Sequence, residues 1–266
     1  MAVDELISVD GRISAAAEAV LPVKDDGLYR GDGVFDVARL YQGRPFALRE
    51  HLDRLERSAA QIELVVDRAR LEAEIAALLD SLGPEDAQLR IVVTRGGRRI
   101  AAVEPLPLLG PSVSLASVRY HPTIILTGAK TLSYGANMQS TRLAAARGAD
   151  EAVLVRPDGV VLEPPTSTIF WAGDDGQLRT PALDVGILDS ITRRRLVEAL
   201  GNVEEGTYQL DDLLGASEAF LASSVREVQP VSSVDGVELD RHGARTQAAR
   251  AAFDSIIADW RASVAD

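Results

Sequence analysis

Residues 34–62 read VFDVARLYQGRPFALREHLDRLERSAAQI, and the hydrophobic period changes inside them. VFDVARLY (34–41) alternates as a strand does, Gln42-Gly43 offers a tight turn, and RPFAL returns as the second arm of a hairpin. From about Arg49 the apolar residues recur at helical spacing, with Leu52, Leu55, Ala59 and Ile62 on one face. A hairpin that runs directly into an amphipathic helix points to an α+β chain.

Working outward, ELISV, the Asp10-Gly11 turn and RIS form another hairpin near the N-terminus. Past residue 62, RLEAEIAALLDSL reads as a second helix that stops at Gly83-Pro84, and QLRIVVTRG reads as a strand leading into the basic cluster Arg95, Arg98 and Arg99. A proline-bearing passage over 101–112 precedes the strand SVSLASVRY. Tyr120, His121 and Pro122 read as a linker, which predicts an N-terminal α+β domain over 1–119 and a C-terminal domain over 123–266. The second part reads as a helix at about 137–147, strand EAVLV, turn Pro157-Asp158-Gly159, strands VVLEP and STIFWA, helix ITRRRLVEALG, strand EAFLASS and a final helix TQAARAAFDSIIADW. Hairpins and helices without a regular βαβ rhythm favour α+β over a doubly wound sheet.

The chain has 266 residues, 46% hydrophobic and 26% charged, the balance of a soluble globule with room for one large or two small domains. A net charge of -12 argues against duplex DNA or RNA as the main partner, because phosphate binding needs a basic face. With no cysteine, disulfides, thiolate metal sites and cysteine nucleophiles are excluded. His51, His121 and His242 show no metal-like spacing, so no metal is expected. The start, MAVDELISVDGRI, lacks a basic region followed by an apolar one, and no stretch is long and apolar enough to span a bilayer. The cytoplasm is the expected location, with no membrane partner.

Of 28 basic residues only Lys24 and Lys130 are lysines. Arginine stays protonated, whereas a lysine amine can lose its proton and attack a carbonyl. Such a chain keeps lysine where chemistry needs an amine, or merely on its surface. Lys130 sits in TGAKTLSYGANM, and Glu163 follows 33 residues later in VVLEPPTSTIF. Small hydroxyl residues then come at helix starts or loops: Ser190 and Thr192 flanking Ile191, and Ser223 and Ser224 in FLASSV. A helix start bearing Thr is a natural phosphate site, although each serine taken singly reads as a cap. No Walker loop, GxSxG elbow or dinucleotide fingerprint is present, and Gly31-Asp32-Gly33 alone reads as a tight turn.

Five blocks in order carry a resemblance: YRGDGVFDVARLYQGRPFALREHLDRLERSA, IVVTRGGRR, AKTLSYGANM with RGADEAVLV, DGVVLEPPTSTIFW, and GILDSITRRRL followed by FLASSVREVQPVSSVDG. Together they resemble the class IV, fold type IV pyridoxal-phosphate enzymes: branched-chain and D-amino-acid aminotransferases, R-selective amine transaminases and aminodeoxychorismate lyases. The resemblance runs from about Gly27 to Pro230. It implies two domains with pyridoxal 5'-phosphate between them, the C-terminal one a pseudo-barrel of α/β type, and a homodimer whose partner completes the substrate pocket.

Residue by residue, the resemblance makes Lys130 the Schiff-base lysine and Glu163 the partner of the pyridine nitrogen. Arg54 becomes a phosphate-holding arginine, with Ile191, Thr192, Ser223 and Ser224 completing the phosphate cup. Two departures stand out: Ser190 where the family often has Gly, and Pro164-Pro165 where it often has Gly after the glutamate. Proline there removes a backbone donor. For an amino-acid substrate, Arg30 beside the Gly-Asp-Gly turn, Arg98 or Arg99, and Arg226 are candidates for the carboxylate. Tyr29, Phe35, Arg39 and Tyr134 are candidate pocket walls. The implied reaction exchanges an amino group between an amino acid (D- or branched-chain, with R-amines a further donor class) and a 2-oxo acid. The alternatives are an aminodeoxychorismate lyase making 4-aminobenzoate and pyruvate, and a non-catalytic domain that keeps the fold. Spacing from Lys130 to Asp150-Glu151 favours the D-amino-acid and lyase members.

Overall fold

Val34, Asp36, Ala38 and Leu40 lie on one face of a nine-residue strand, buried against the helix that follows it, so the alternation in the sequence becomes the wall of a core. The structure is a computed structural model that describes residues 6–264. Its contacts divide it into two compact units, 1–108 with 129–134, and 109–128 with 135–266.

The first unit contains strands β1 (Leu6–Val9), β2 (Arg12–Ala15), β3 (Gly33–Tyr41), β4 (Arg44–Pro45), β5 (Ala87–Thr94) and β6 (Arg99–Glu104). They form an antiparallel sheet in the order β2-β1-β6-β5-β3-β4. A short helix α1 (Asp26–Arg30) precedes β3, and α2 (Leu48–Gln61) and α3 (Arg68–Asp80) lie between β4 and β5. Leu52, Leu55 and Ala59 of α2 and Leu71, Ile75 and Leu78 of α3 pack with Val34, Leu40, Leu89 and Ile91 in one core. The expected strand ELISV begins at Glu5, outside the described residues. Strand β6 carries residues that the sequence reading placed in the proline-bearing passage; its alternation is blurred by Ala101-Ala102 and by Arg98 and Arg99 at its start.

The second unit holds β7 (Val113–Arg119), β8 (Glu151–Val155), β9 (Thr168–Ala172), β10 (Leu178–Pro181), β11 (Val203–Gly206), β12 (Glu218–Ser223), β13 (Glu227–Val234) and β14 (Val237–Glu238). Its mixed sheet runs β11-β10-β9-β12-β13-β7-β8, with β14 on β13. Helices α4 (Gly135–Ala146), α5 (Ile191–Leu200), α6 (Leu210–Leu214) and α7 (Ala244–Ser263) complete it. Strand β7 runs parallel to both β13 and β8, and therefore belongs here and not with residues 1–119. The expected linker 120–122 lies inside this unit, and Lys130 returns to the first. The expected strand VVLEP is reduced to isolated bridges at Val160 and Val161. Among the described residues no helix is long and apolar enough to cross a membrane.

Candidate active site

Lys130 is held at its backbone from two sides. The Phe35 N–H donates to its carbonyl at 3.0 Å, the Leu132 N–H donates to the Gly33 carbonyl at 2.9 Å, and Thr131 bridges Val34. On the other side the Lys130 N–H donates to Oγ of Ser58, buried on α2, at 3.0 Å. A Cβ added at Gly33 would stand 2.6 Å from the Val93 carbonyl and 2.7 Å from Leu132 Cδ1, so glycine is what lets this segment close on β3. Gly31, at φ 66°, ends α1 in the left-handed conformation. From its fixed origin the lysine reaches Nζ to 4.5 Å from the Phe35 ring centre and 5.8 Å from that of Tyr134. Those two rings meet edge to face at 5.2 Å.

One helical turn before Ser58 stands Arg54. Its Nε donates to Asp36 Oδ2 at 2.8 Å and its Nη2 to Asp36 Oδ1 at 2.7 Å, a bidentate fork. His51 Nδ1 meets the same Asp36 Oδ1 at 2.7 Å. The side chains of Asp36 and His51 are fully buried and that of Arg54 is 7% exposed. Burial pushes the Asp36 carboxyl up, but the Arg54 guanidinium and then His51 outweigh it and hold the group well below the usual carboxylate range.

In the second unit Glu163 Oε1 accepts the Leu188 N–H at 2.8 Å. Burial, followed by the Glu163 charge, pushes the Tyr120 hydroxyl up. Asn137 Nδ2 donates to the Pro165 carbonyl at 3.4 Å and steadies the Pro-Pro loop. Beyond it, Ser167 Oγ and Thr168 Oγ1 are buried without a hydrogen-bond partner among the described residues. Ser190 explains its own departure: it is the N-cap of α5, accepting from the Arg193 N–H at 3.3 Å. Ile191 and Thr192 are the first two residues of that helix, both buried, and such leading amides have no partner within the helix. Ser223 Oγ accepts the Arg226 N–H at 3.1 Å and closes the β12–β13 turn in which Ser224 lies.

The substrate candidates divide. Phe35 and Tyr134 stand with Lys130. Tyr29 and Arg30 are exposed on α1, Arg30 3.4 Å from Asp26. Arg98 donates to Asp10 at 2.6 Å and Arg99 to Glu74 at 2.8 Å. Arg226 is tied to Gln229 at 2.6 Å and Glu151 at 2.9 Å. Arg39 stacks on Tyr41, 4.9 Å from its ring centre. The sequence reading missed Arg90, whose guanidinium carbon lies 6.0 Å from the Phe35 ring centre while forking on Glu104 at 2.7 and 2.9 Å. It missed Asp36, His51 and Ser58 as well. Their signal is a polar residue on an apolar face: Asp36 in line with Val34 and Leu40, His51 and Ser58 beside Leu52, Leu55 and Ala59. Among the described residues no cluster of His, Cys, Asp or Glu is arranged to hold a metal ion.

The first unit thus holds a lysine fixed at its backbone and a buried arginine, and the second holds a helix start whose leading amides have no partner within the helix. The sequence profile of the amino-transferase class IV family matches residues 33–234, and the chain belongs to that family. It is 32% identical to a bifunctional aminodeoxychorismate lyase / D-amino acid transaminase of Mycobacterium tuberculosis, over 89% of this chain and 93% of that one. Among solved structures it resembles the branched-chain aminotransferase of the thermophilic archaeon Thermoproteus uzoniensis with norvaline, at TM-score 0.84 and 30% identity, covering 95% of this chain and 94% of that one. It also resembles a hypothetical aminotransferase from Mycobacterium tuberculosis in its PLP-bound form, at TM-score 0.85 and 27% identity, covering 94% and 98%.

Proposed function

We propose that this chain is a pyridoxal 5'-phosphate-dependent aminotransferase that exchanges an amino group between an amino acid and a 2-oxo acid. The carrying observation is Lys130, whose peptide groups are fixed by Phe35 and Ser58 while Nζ stands over the Phe35 ring. The donor set suits the cofactor. Arg54, the leading amides of α5 with the Thr192 hydroxyl, and Ser223 and Ser224 would hold the phosphate. Glu163 would pair with the protonated pyridine nitrogen, and the orphaned Ser167 hydroxyl on the same loop asks for a ligand partner. When bound, pyridoxal phosphate supplies an electron sink that lets the bond between the substrate Cα and its hydrogen break. Lys130 Nζ takes that proton and returns it, acting as base and then acid. Phe35 and Tyr134 flank it, with ring centres 4.5 and 5.8 Å from Nζ, and would confine its path. Arg30, Arg98 and Arg90 are the candidates for the substrate carboxylate, with Tyr29 next to Arg30 on α1.

The namings of the relatives support D-amino acids and branched-chain amino acids as donors, with R-amines a further donor class. A second reading, aminodeoxychorismate lyase, is favoured by the Mycobacterium tuberculosis relative named for both activities. We place the enzyme in the cytoplasm and propose that it is a homodimer, the association supported by the exposed apolar residues Val20, Val23, Leu28 and Tyr29. Visible absorbance on adding pyridoxal phosphate to the purified protein is the test. The band should appear, and D-alanine, L-leucine or an R-amine, each added alone, should bleach it in a donor-specific way. No band at all would refute the cofactor. Silence with all three donors, together with 4-aminobenzoate formed from aminodeoxychorismate, would select the lyase.

A further inference from the structure

Asp36 touches neither end of the proposed chemistry, yet it joins the elements that carry both. On α2 it grips Arg54 through two parallel bonds at 2.8 and 2.7 Å. On β3 it follows Phe35, whose N–H holds the Lys130 carbonyl, and Ser58, one turn beyond Arg54, accepts the Lys130 N–H. A buried ion pair is a poor way to gain stability, because removing both charges from water costs about what their attraction returns. Apolar side chains of similar volume would fill the same space between α2 and β3. What the pair does provide is orientation: with Nε and Nη2 fixed on the carboxylate, the guanidinium plane is set and its remaining edge points one way. His51, on the same Oδ1, keeps the carboxylate from rotating.

We propose that Asp36 is a positioning residue for cofactor phosphate: its carboxylate locks Arg54 in the orientation that receives the phosphate and keeps α2 in register with the strand that anchors Lys130. This rests on the reading of Arg54 as a phosphate holder. It differs from a purely electrostatic role, which has the opposite sign. Removing the Asp36 charge leaves Arg54 more strongly cationic and on charge alone should tighten binding of a phosphate dianion. Positioning predicts weaker binding, since in Asp36→Asn the amide nitrogen faces one of the N–H donors of the arginine and the fork cannot form.

The test compares pyridoxal phosphate with pyridoxal, which lacks the phosphate, by fluorescence titration of the cofactor-free protein, alongside thermal melts. Wild type should prefer pyridoxal phosphate strongly. Asp36→Asn should lose at least tenfold in affinity for pyridoxal phosphate while its affinity for pyridoxal changes less than twofold. Arg54→Lys should behave alike, and the double variant should lose little more than either alone. If Asp36→Asn does not fold, Asp36→Glu carries the test: its extra methylene cannot keep both fork bonds and the His51 contact, so the preference for the phosphorylated form should fall at least threefold. Equal losses for both ligands, tighter pyridoxal phosphate binding, or an unchanged preference with a lowered Tm would overturn the positioning role and leave the proposed function intact. A wild type that binds neither ligand would overturn both.

Discussion

Two arginine–aspartate pairs in the first unit have the same chemistry and opposite settings. Arg54 and Asp36 meet between α2 and β3 with side chains 7% and 0% exposed, whereas Arg30 and Asp26 meet on α1 at 78% and 51%. The exposed pair is screened by water and has freedom to reorganise, so it contributes a few tenths of a kcal/mol at most, about 0.3–0.5 for such a helical spacing. The buried pair has no solvent to substitute for a lost partner, and breaking one side leaves an uncompensated charge costing roughly 3–5 kcal/mol. Charge alone therefore does not mark the arginine proposed to hold the phosphate. Setting does, and the buried pair is the one tied through Ser58 and Phe35 to the lysine.

The largest expected effect lies on the buried side. Lys130→Ala should lower transamination by about three orders of magnitude or more, because it removes both the amine and the proton carrier; steady-state rates with each donor measure it. Next, Arg54→Met should weaken pyridoxal phosphate roughly 10- to 100-fold, the scale of one or two hydrogen bonds to a charged group, read by equilibrium titration.

Acid stability separates the pairs further. Because the native Asp36 carboxyl is depressed, its contribution is fully present above the unfolded carboxylate value near 4. It is lost progressively as pH falls from there toward the lower native value. Urea midpoints measured from pH 7 downward should thus fall more steeply below about pH 4 in wild type than in Asp36→Asn/Arg54→Met. On the exposed side Arg30→Gln should change stability by less than about 0.5 kcal/mol. A tenfold rise in KM at that unchanged stability would show that Arg30 meets the substrate carboxylate, and an unchanged KM would pass the role to Arg98 or Arg90. Smallest of all, Lys24→Arg should leave kcat and KM as they are.

The same contrast explains what was readable in the sequence. The hairpin and helix of residues 34–62 were legible because their periods change cleanly at Arg49, and α5 and α7 because apolar residues recur at helical spacing despite buried Thr192, Arg193 and Thr246. Lys130 stood out through scarcity. Strand β6 was not legible, since alanines and arginines blur its alternation. Nor was the return of 129–134 to the first unit, which depends on a contact across almost a hundred residues between Thr131 and Val34. Asp36, His51 and Ser58 escaped for a different reason. Each occupies a core position of an otherwise apolar face, and only the fold shows that Asp36 and His51 meet at the Asp36 carboxylate and that Ser58 receives the Lys130 N–H.

The most direct measurement is borohydride reduction of the protein loaded with pyridoxal phosphate, followed by peptide mass mapping. With two lysines in the chain the result is unambiguous: the cofactor mass should be carried by the peptide containing Lys130. Its appearance on the Lys24 peptide, or on neither, would contradict the assignment of the site.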